Sequence, residues 1–229
     1  PPMSVQEEIV RILDTFSSAV TELNAEQAAR VRQYEYYRNE LLSFDSKSKT
    51  MEKLFVNSCV KKVELLSINE VLTTITPPKK LTRDQYKEIG TIPIIDQGQN
   101  PIVGYTNDLD ASLPKNSYVL FGDHTRIIKF VDFPFAQGAD GLKILRPKSN
   151  KYLLKYLYYA FLNADVQSRG YSRHWTYARK IKISVPPLEV QEQIVSILDR
   201  FDTLVNDLKS GLPAEIALRR KQYEYYRDK

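Results

Sequence analysis

Residues 1–24 read PPMSVQEEIVRILDTFSSAVTELN, and residues 186–209 read PPLEVQEQIVSILDRFDTLVNDLK. They are two copies of one segment, 185 positions apart. The repeat continues as AEQAARVRQYEYYRNE (25–40) and AEIALRRKQYEYYRDK (214–229), now offset by 189 because SGLP (210–213) is inserted in the second copy. A repeat this widely spaced is no solenoid; it flanks something else. In each copy apolar residues recur at alternating spacings of four and three, which predicts a long helix with a heptad seam. The seam is Ile9, Leu13, Phe16, Val20 and Leu23 in the first copy, and Ile194, Leu198, Phe201, Val205 and Leu208 in the second. Pro-Pro followed by a Glu-rich polar turn suits a helix start. A helix of 36–40 residues spans on the order of 55–60 Å, too long to hide in a small domain. Its natural partner is the other copy, giving an antiparallel coiled coil. The alternative is that each helix caps a globular core. SGLP nearly equals one turn and would act as a stutter, or Gly211 and Pro213 would kink or break the helix.

Between the copies the chain changes character. Residues 1–44 hold 4 bases and 7 acids, 186–229 hold 7 and 8, and 45–185 hold 22 and 13. The overall charge of +5 therefore conceals acidic ends and a basic centre. The period changes as well. VKKVELLSI, GTIPIID, SYVLFGD, RIIKFVD and LKILRP are short β-branched or aromatic runs separated by turn residues, as strands require. KYLLKYLYYAFLNA (151–164) is the one expected helix, too apolar to lie exposed. The fold class is thus α/β (mixed α+β): a central domain over 45–185 between long helices at 1–44 and 186–229.

Composition excludes several classes of function. No apolar run approaches the ~18 residues of a bilayer span, and the amino-terminal stretch lacks the order of a secretory signal, so a cytoplasmic location is expected. A single cysteine, Cys59, excludes an intrachain disulfide framework and a Cys-rich zinc site. No dinucleotide fingerprint, P-loop or zinc-protease motif is present, and His124 and His174 have no motif partner, so no catalytic or metal residues are expected. NPIV (100–103) lacks the second proline and the aromatic of an adenine-methyltransferase motif. FGDHTR (121–126) reads as a turn between strands with solvent-facing polar residues.

A polyanion partner fits better. Residues 166–188 read VQSRGYSRHWTYARKIKISVPPL, with five bases, three aromatics and no acid. Arg169, Tyr171, Ser172, Arg173, His174, Arg179 and Lys180 suit phosphate contacts, and arginine also reads guanine edges; Trp175 and Tyr177 are expected in the core. In DQGQNP (96–101) the amides of Gln97, Gln99 and Asn100 match adenine edges, although a plain turn is an equal reading. In DFPFAQGADGL (132–142) Gln137 and two glycines would let backbone approach a groove. The pairs Lys61–Lys62 and Lys79–Lys80 read as solvated faces.

A basic α/β domain ending in KIKISVPPLEVQEQIVSILDRFD resembles the specificity (S) subunit of type I restriction-modification enzymes over the whole chain, and PPMSVQEEIVRILDTFSS is similar to the same conserved helix. YVLFGD and QGADGLKIL also resemble recurrent parts of its target recognition domains. The resemblance implies a non-catalytic DNA specificity subunit. One target recognition domain would read half of a bipartite double-stranded DNA site, and the conserved helices would space the readers and dock methyltransferase (M) subunits. S-adenosylmethionine would belong to those partners, and ATP-driven translocation to the restriction (R) subunit. Full subunits of the family carry two recognition domains and this chain has one. It is therefore expected to be a half-subunit, or the carboxy-terminal half of a longer protein, with a homodimer of two half-subunits as one way to restore both readers. The alternatives are the recognition region of a fused restriction-methyltransferase enzyme and a coiled-coil adaptor that binds no DNA.

Overall fold

The structure, a computed structural model, describes residues 1–44, 63–138, 140–168, 170, 172–206 and 211–228. It divides into two compact units, Pro1–Leu41 with Ser196–Lys229, and Leu42–Val195. The expected residues Arg169, Tyr171, Leu208, Lys61 and Lys62 lie outside the described residues.

The helical unit follows from the repeat. Helix α1 runs unbroken over Met3–Ser43. The second copy forms two helices, α5 (Leu188–Asn206) and α6 (Leu212–Arg227). The insertion therefore breaks the helix rather than passing through it as a stutter. Gly211 caps α6 in extended conformation and Pro213 occupies its first turn, where a missing N–H costs nothing. The expected Glu-rich start is corrected for α1, whose first turn holds no acid. Instead Gln6 Nε2 donates to the Pro1 carbonyl at 2.8 Å, and Val5 N and Gln6 N donate to Pro2 O.

α1 and the second-copy helices run antiparallel. Tyr37 stacks on Phe201 at 5.5 Å between ring centroids, and Gln27 Nε2 reaches Val205 O. At the other end Phe16 stacks on Tyr226 at 5.4 Å. Phe16 corresponds to Phe201 and Tyr37 to Tyr226 in the repeat, so the pair has an internal two-fold that each stack obeys. Of the expected seam, Leu13, Phe16, Val20, Leu23 and Phe201 are half-buried, while Leu198 and Val205 are buried. Ile9 departs from it at 45% exposed. Ile194 is fully buried, but within the other unit.

That unit holds two four-stranded sheets. Strands β2 (Leu72–Ile75), β9 (Leu142–Pro147), β6 (Tyr118–Gly122) and β7 (Ile128–Val131) form an antiparallel sheet in that order. Strands β4 (Gly104–Thr106), β3 (Ile92–Ile95), β8 (Phe135–Gln137) and β5 (Ser112–Leu113) form the other, with β3 and β8 parallel. Ile95, Leu113, Tyr118, Leu120, Val131, Phe135, Leu142 and Ile144 join both sheets in one core. Helix α3 (Leu154–Asn163) packs on this domain, as its apolar density requires, and Tyr156, Leu157, Tyr159 and Phe161 are wholly buried. The pair β1 (Glu64–Ser67) and β10 (Lys182–Val185) and the short helices α2 (Ile68–Val71) and α4 (Trp175–Ala178) complete the described strands and α-helices, and 3-10 turns lie at Arg83–Gln85 and Leu109–Ala111.

Candidate nucleic-acid interface

The domain's polar chemistry gathers at loops that leave the two sheets. Gln99 and Asn100 are exposed on the 96–101 loop after β3. The half-buried ammonium of Lys129, on β7, holds this loop by donating to Asp96 O at 3.1 Å and Asn100 O at 2.6 Å. Burial pushes that ammonium's pKa down, against the pull of the Asp96 carboxylate. Beside the loop opens a groove of about 480 Å³ lined by Arg83, Tyr86, Asp96, Gln99 and Asn100 among others.

Cations also meet the loop that carries Asp140. Asp140 is 87% exposed and pairs with Lys80 at 2.9 Å. The hydrogen bond from Lys80 holds the Asp140 carboxyl below the usual range, assisted by the charges of Lys80, Arg173 and Lys143. One exposed acid thus feels the charge of three bases, on a surface able to take phosphate charge.

Of the residues expected at DNA, Gln99 and Asn100 are exposed on the 96–101 loop, and Arg173 is exposed on the basic segment just before α4. Gln97 is spent internally. Its Oε1 accepts from His124 N at 3.0 Å and its Nε2 donates to Asp140 O at 3.3 Å. The expectations for His174 and Gln137 are corrected, since each is 1% exposed. The His174 ring turns inward onto Asp123 O at 3.0 Å, and Gln137 ends a central strand. Their polarity suggested an outward role, but both are used to build the domain. The Ser172 hydroxyl is buried too. Arg179 and Lys180 are exposed on the turn after α4, on the side tied to α2 through Asn69 N and Arg179 O. Trp175 packs on Phe121 as expected, at 5.7 Å, whereas Tyr177 is 48% exposed and not core.

Sequence reasoning missed Lys129, Lys143 and Asp123. Asp123 is 3% exposed, contrary to a solvent-facing FGDHTR, and its Oδ1 accepts from Trp175 N at 2.7 Å. The only available signal was a buried strand, YVLFG, running straight into charge. Among the described residues no group of three or more His, Cys, Asp or Glu is placed to hold a metal ion, and no helix is long and apolar enough to cross a membrane.

Fold and surface together define a class: a sheet-built recognition domain joined in one chain to a pair of antiparallel helices. Residues 59–218 match the type I restriction modification DNA specificity domain, and the chain belongs to that family. It is similar to the specificity subunit of the Escherichia coli type I restriction enzyme EcoR124I/EcoR124II, at 34% identity over 99% of this chain and 59% of that subunit. A Mycoplasma pneumoniae protein described as a type I specificity subunit is 29% identical and is covered over 89% of its length. Among solved structures, the S subunit from M. genitalium superposes with a TM-score of 0.68 at 16% identity, over 98% of this chain and 61% of that one. The HsdS subunit from Thermoanaerobacter tengcongensis gives 0.54 at 18% identity, over 100% and 58%. The chain thus spans about three fifths of the E. coli subunit and of these two solved chains.

Proposed function

We propose that this chain is the non-catalytic DNA-reading component of a type I restriction-modification enzyme. The observation that carries the reading is the loop surface where Lys80 pairs with exposed Asp140 and Lys143 with Asp123, together with exposed Gln99, Asn100 and Arg173. The cations supply sequence-independent phosphate contacts, and the amides supply paired donors and acceptors for adenine edges. Methyltransferase subunits dock on the helices and bring S-adenosylmethionine and the base chemistry; a restriction subunit joins through the assembled complex. A second reader completes the unit. In the second repeat copy Val190, Gln191 and Ile194 are buried in the recognition domain's unit, whereas their counterparts Val5 and Ile9 are each 45% exposed. In a homodimer of half-subunits that second reader comes from the other copy, and a two-fold assembly reads an interrupted, palindromic target.

The test is to co-express the chain with its methyltransferase partner and map adenine methylation across the host genome. One new interrupted motif is the expected result. Methylation that appears without the chain, or without sequence preference, overturns the reading.

A further inference from the structure

The 122–126 turn, GDHTR, takes in the last residue of β6 and four of the five residues that link it to β7, yet it bonds to three separate segments. Toward the 96–101 loop, His124 N donates to Gln97 Oε1 and Thr125 Oγ1 donates to Gln97 O. Toward the 138–142 loop, Asp123 N donates to Gly141 O at 2.6 Å, and Gln97 extends the link to Asp140 O. Toward the basic segment, the turn makes contact at two points. Arg126 Nη1 donates to Val166 O at 2.8 Å. Further along, His174 N donates to Asp123 O at 2.8 Å and Trp175 N to Asp123 Oδ1 at 2.7 Å.

The turn's own geometry is costly, and it is specified by its residues. Arg126 adopts φ +63, a left-handed conformation rare for a side chain of this size. A Cβ on Gly122 would lie 2.1 Å from Thr125 Oγ1 and 2.9 Å from Gln97 O, so the close approach of the two loops requires glycine there. Asp123 is nearly fully buried, and its carboxylate is balanced by Lys143 at 3.6 Å. A buried carboxylate used on backbone N–H groups orders the segments that supply them.

We propose that this turn is the junction that sets the three DNA-facing loops in one register, with Asp123 and Gln97 as positioning residues for sequence discrimination. The inference rests on the reading of this surface as the DNA interface and deepens it. Neither residue contacts a base. Each fixes where Gln99, Asn100, Arg173 and the cations around Asp140 stand relative to one another. A residue that reads one base changes preference at one position of the site. A junction changes it at several.

The experiment uses the full chain co-purified with methyltransferase subunits and a randomised duplex DNA pool, from which the preferred sequence is selected and compared with a scrambled duplex. Gln97→Ala and Asp123→Ala are expected to lower the preferred-to-scrambled ratio by about 10-fold or more, relaxing several positions together, while affinity for the scrambled duplex stays within about 2-fold because the phosphate contacts remain. Asp123→Asn keeps an oxygen for Trp175 N and retains most discrimination. Hydrogen exchange without DNA supplies the second readout: in Gln97→Ala, amides of both the 122–126 and 138–142 segments exchange faster, and in Asp123→Ala those near His174 and Trp175 do. Full discrimination by folded Gln97→Ala overturns the junction, as does relaxation at a single base position. A wild-type complex that binds every duplex equally overturns the DNA reading itself, and the junction's role in discrimination with it.

Discussion

Gln6 and Gln191 are the same residue of the repeat in two surroundings. Each donates through Nε2 to the proline carbonyl five positions earlier, at 2.8 Å in both cases. Gln191 also accepts from Leu153 N at 2.8 Å and donates to Lys151 O at 3.0 Å, and it is 1% exposed. Gln6 is exposed. Gln191→Ala should therefore destabilise the chain by about 1–3 kcal/mol, because it strands buried backbone groups, and Gln6→Ala should cost less than about 0.5 kcal/mol; denaturant melts of the two variants check this, and equal losses would contradict the assigned surroundings. Asp140 offers a second residue-scale outcome. Asp140→Asn removes the exposed acid that pairs with Lys80, so DNA affinity should rise several-fold and the salt slope should steepen by about one unit. Acidification imitates it late. The folded pKa lies below the unfolded one, so the Asp140–Lys80 pair contributes above the unfolded value and is lost only as pH falls through the folded value, beneath the usual carboxylate range. Wild-type binding should accordingly gain no such increment between neutral pH and the top of that range.

At the scale of elements, the two-fold of the helical unit makes matched demands. Tyr37 on Phe201 and Tyr226 on Phe16 are equivalent stacks, inclined at 26° and 18°. Tyr37→Ala and Tyr226→Ala should each lose about 0.5–1.5 kcal/mol beyond their buried area. The Tyr226 change, nearer a chain end, should fray only the end of α6, and amide exchange along that helix would show it. Deleting residues 210–213 removes the cap and proline start of α6 and should alter the preferred gap between half-sites without changing the half-site; methylation of targets with graded gaps measures this. The helices were legible because a heptad is a local pattern and the repeat displayed it twice. The break at Gly211 was legible only as one of two options, since composition does not say whether a four-residue insertion stays helical. The exposure of Ile9 was not legible at all, because periodicity marks an apolar face and does not reveal what covers it.

For the whole molecule, the basic centre between acidic ends was plain in the charge count, and the predicted strands GTIPIID, SYVLFGD, RIIKFVD and LKILRP all formed. The surface was harder to read. Gln97, Gln137 and His174 have the chemistry of readers, but Gln97 and His174 bond to the domain itself and Gln137 is buried, and only the folded arrangement of distant loops distinguishes a presented amide from a withdrawn one. Lys143 lies three residues from Asp140, but Lys80 and Arg173 are 60 and 33 residues from it and act on its carboxylate only through the fold. If Lys80, Lys143 and Arg173 each neutralise one phosphate, the logarithm of DNA affinity should fall against the logarithm of salt with a slope of about −3 per domain, and Arg173→Ala should reduce it by about one. A slope near zero would remove the electrostatic basis of the interface. The bare opening turns of α1 have a practical consequence. Met3, Val5, Ile9 and Val10 are 69, 45, 45 and 55% exposed along one short stretch of helix. Purified by itself, the chain should therefore be adhesive, drifting to larger hydrodynamic size as it is concentrated and returning to a single species when Val5 and Ile9 are replaced by lysine.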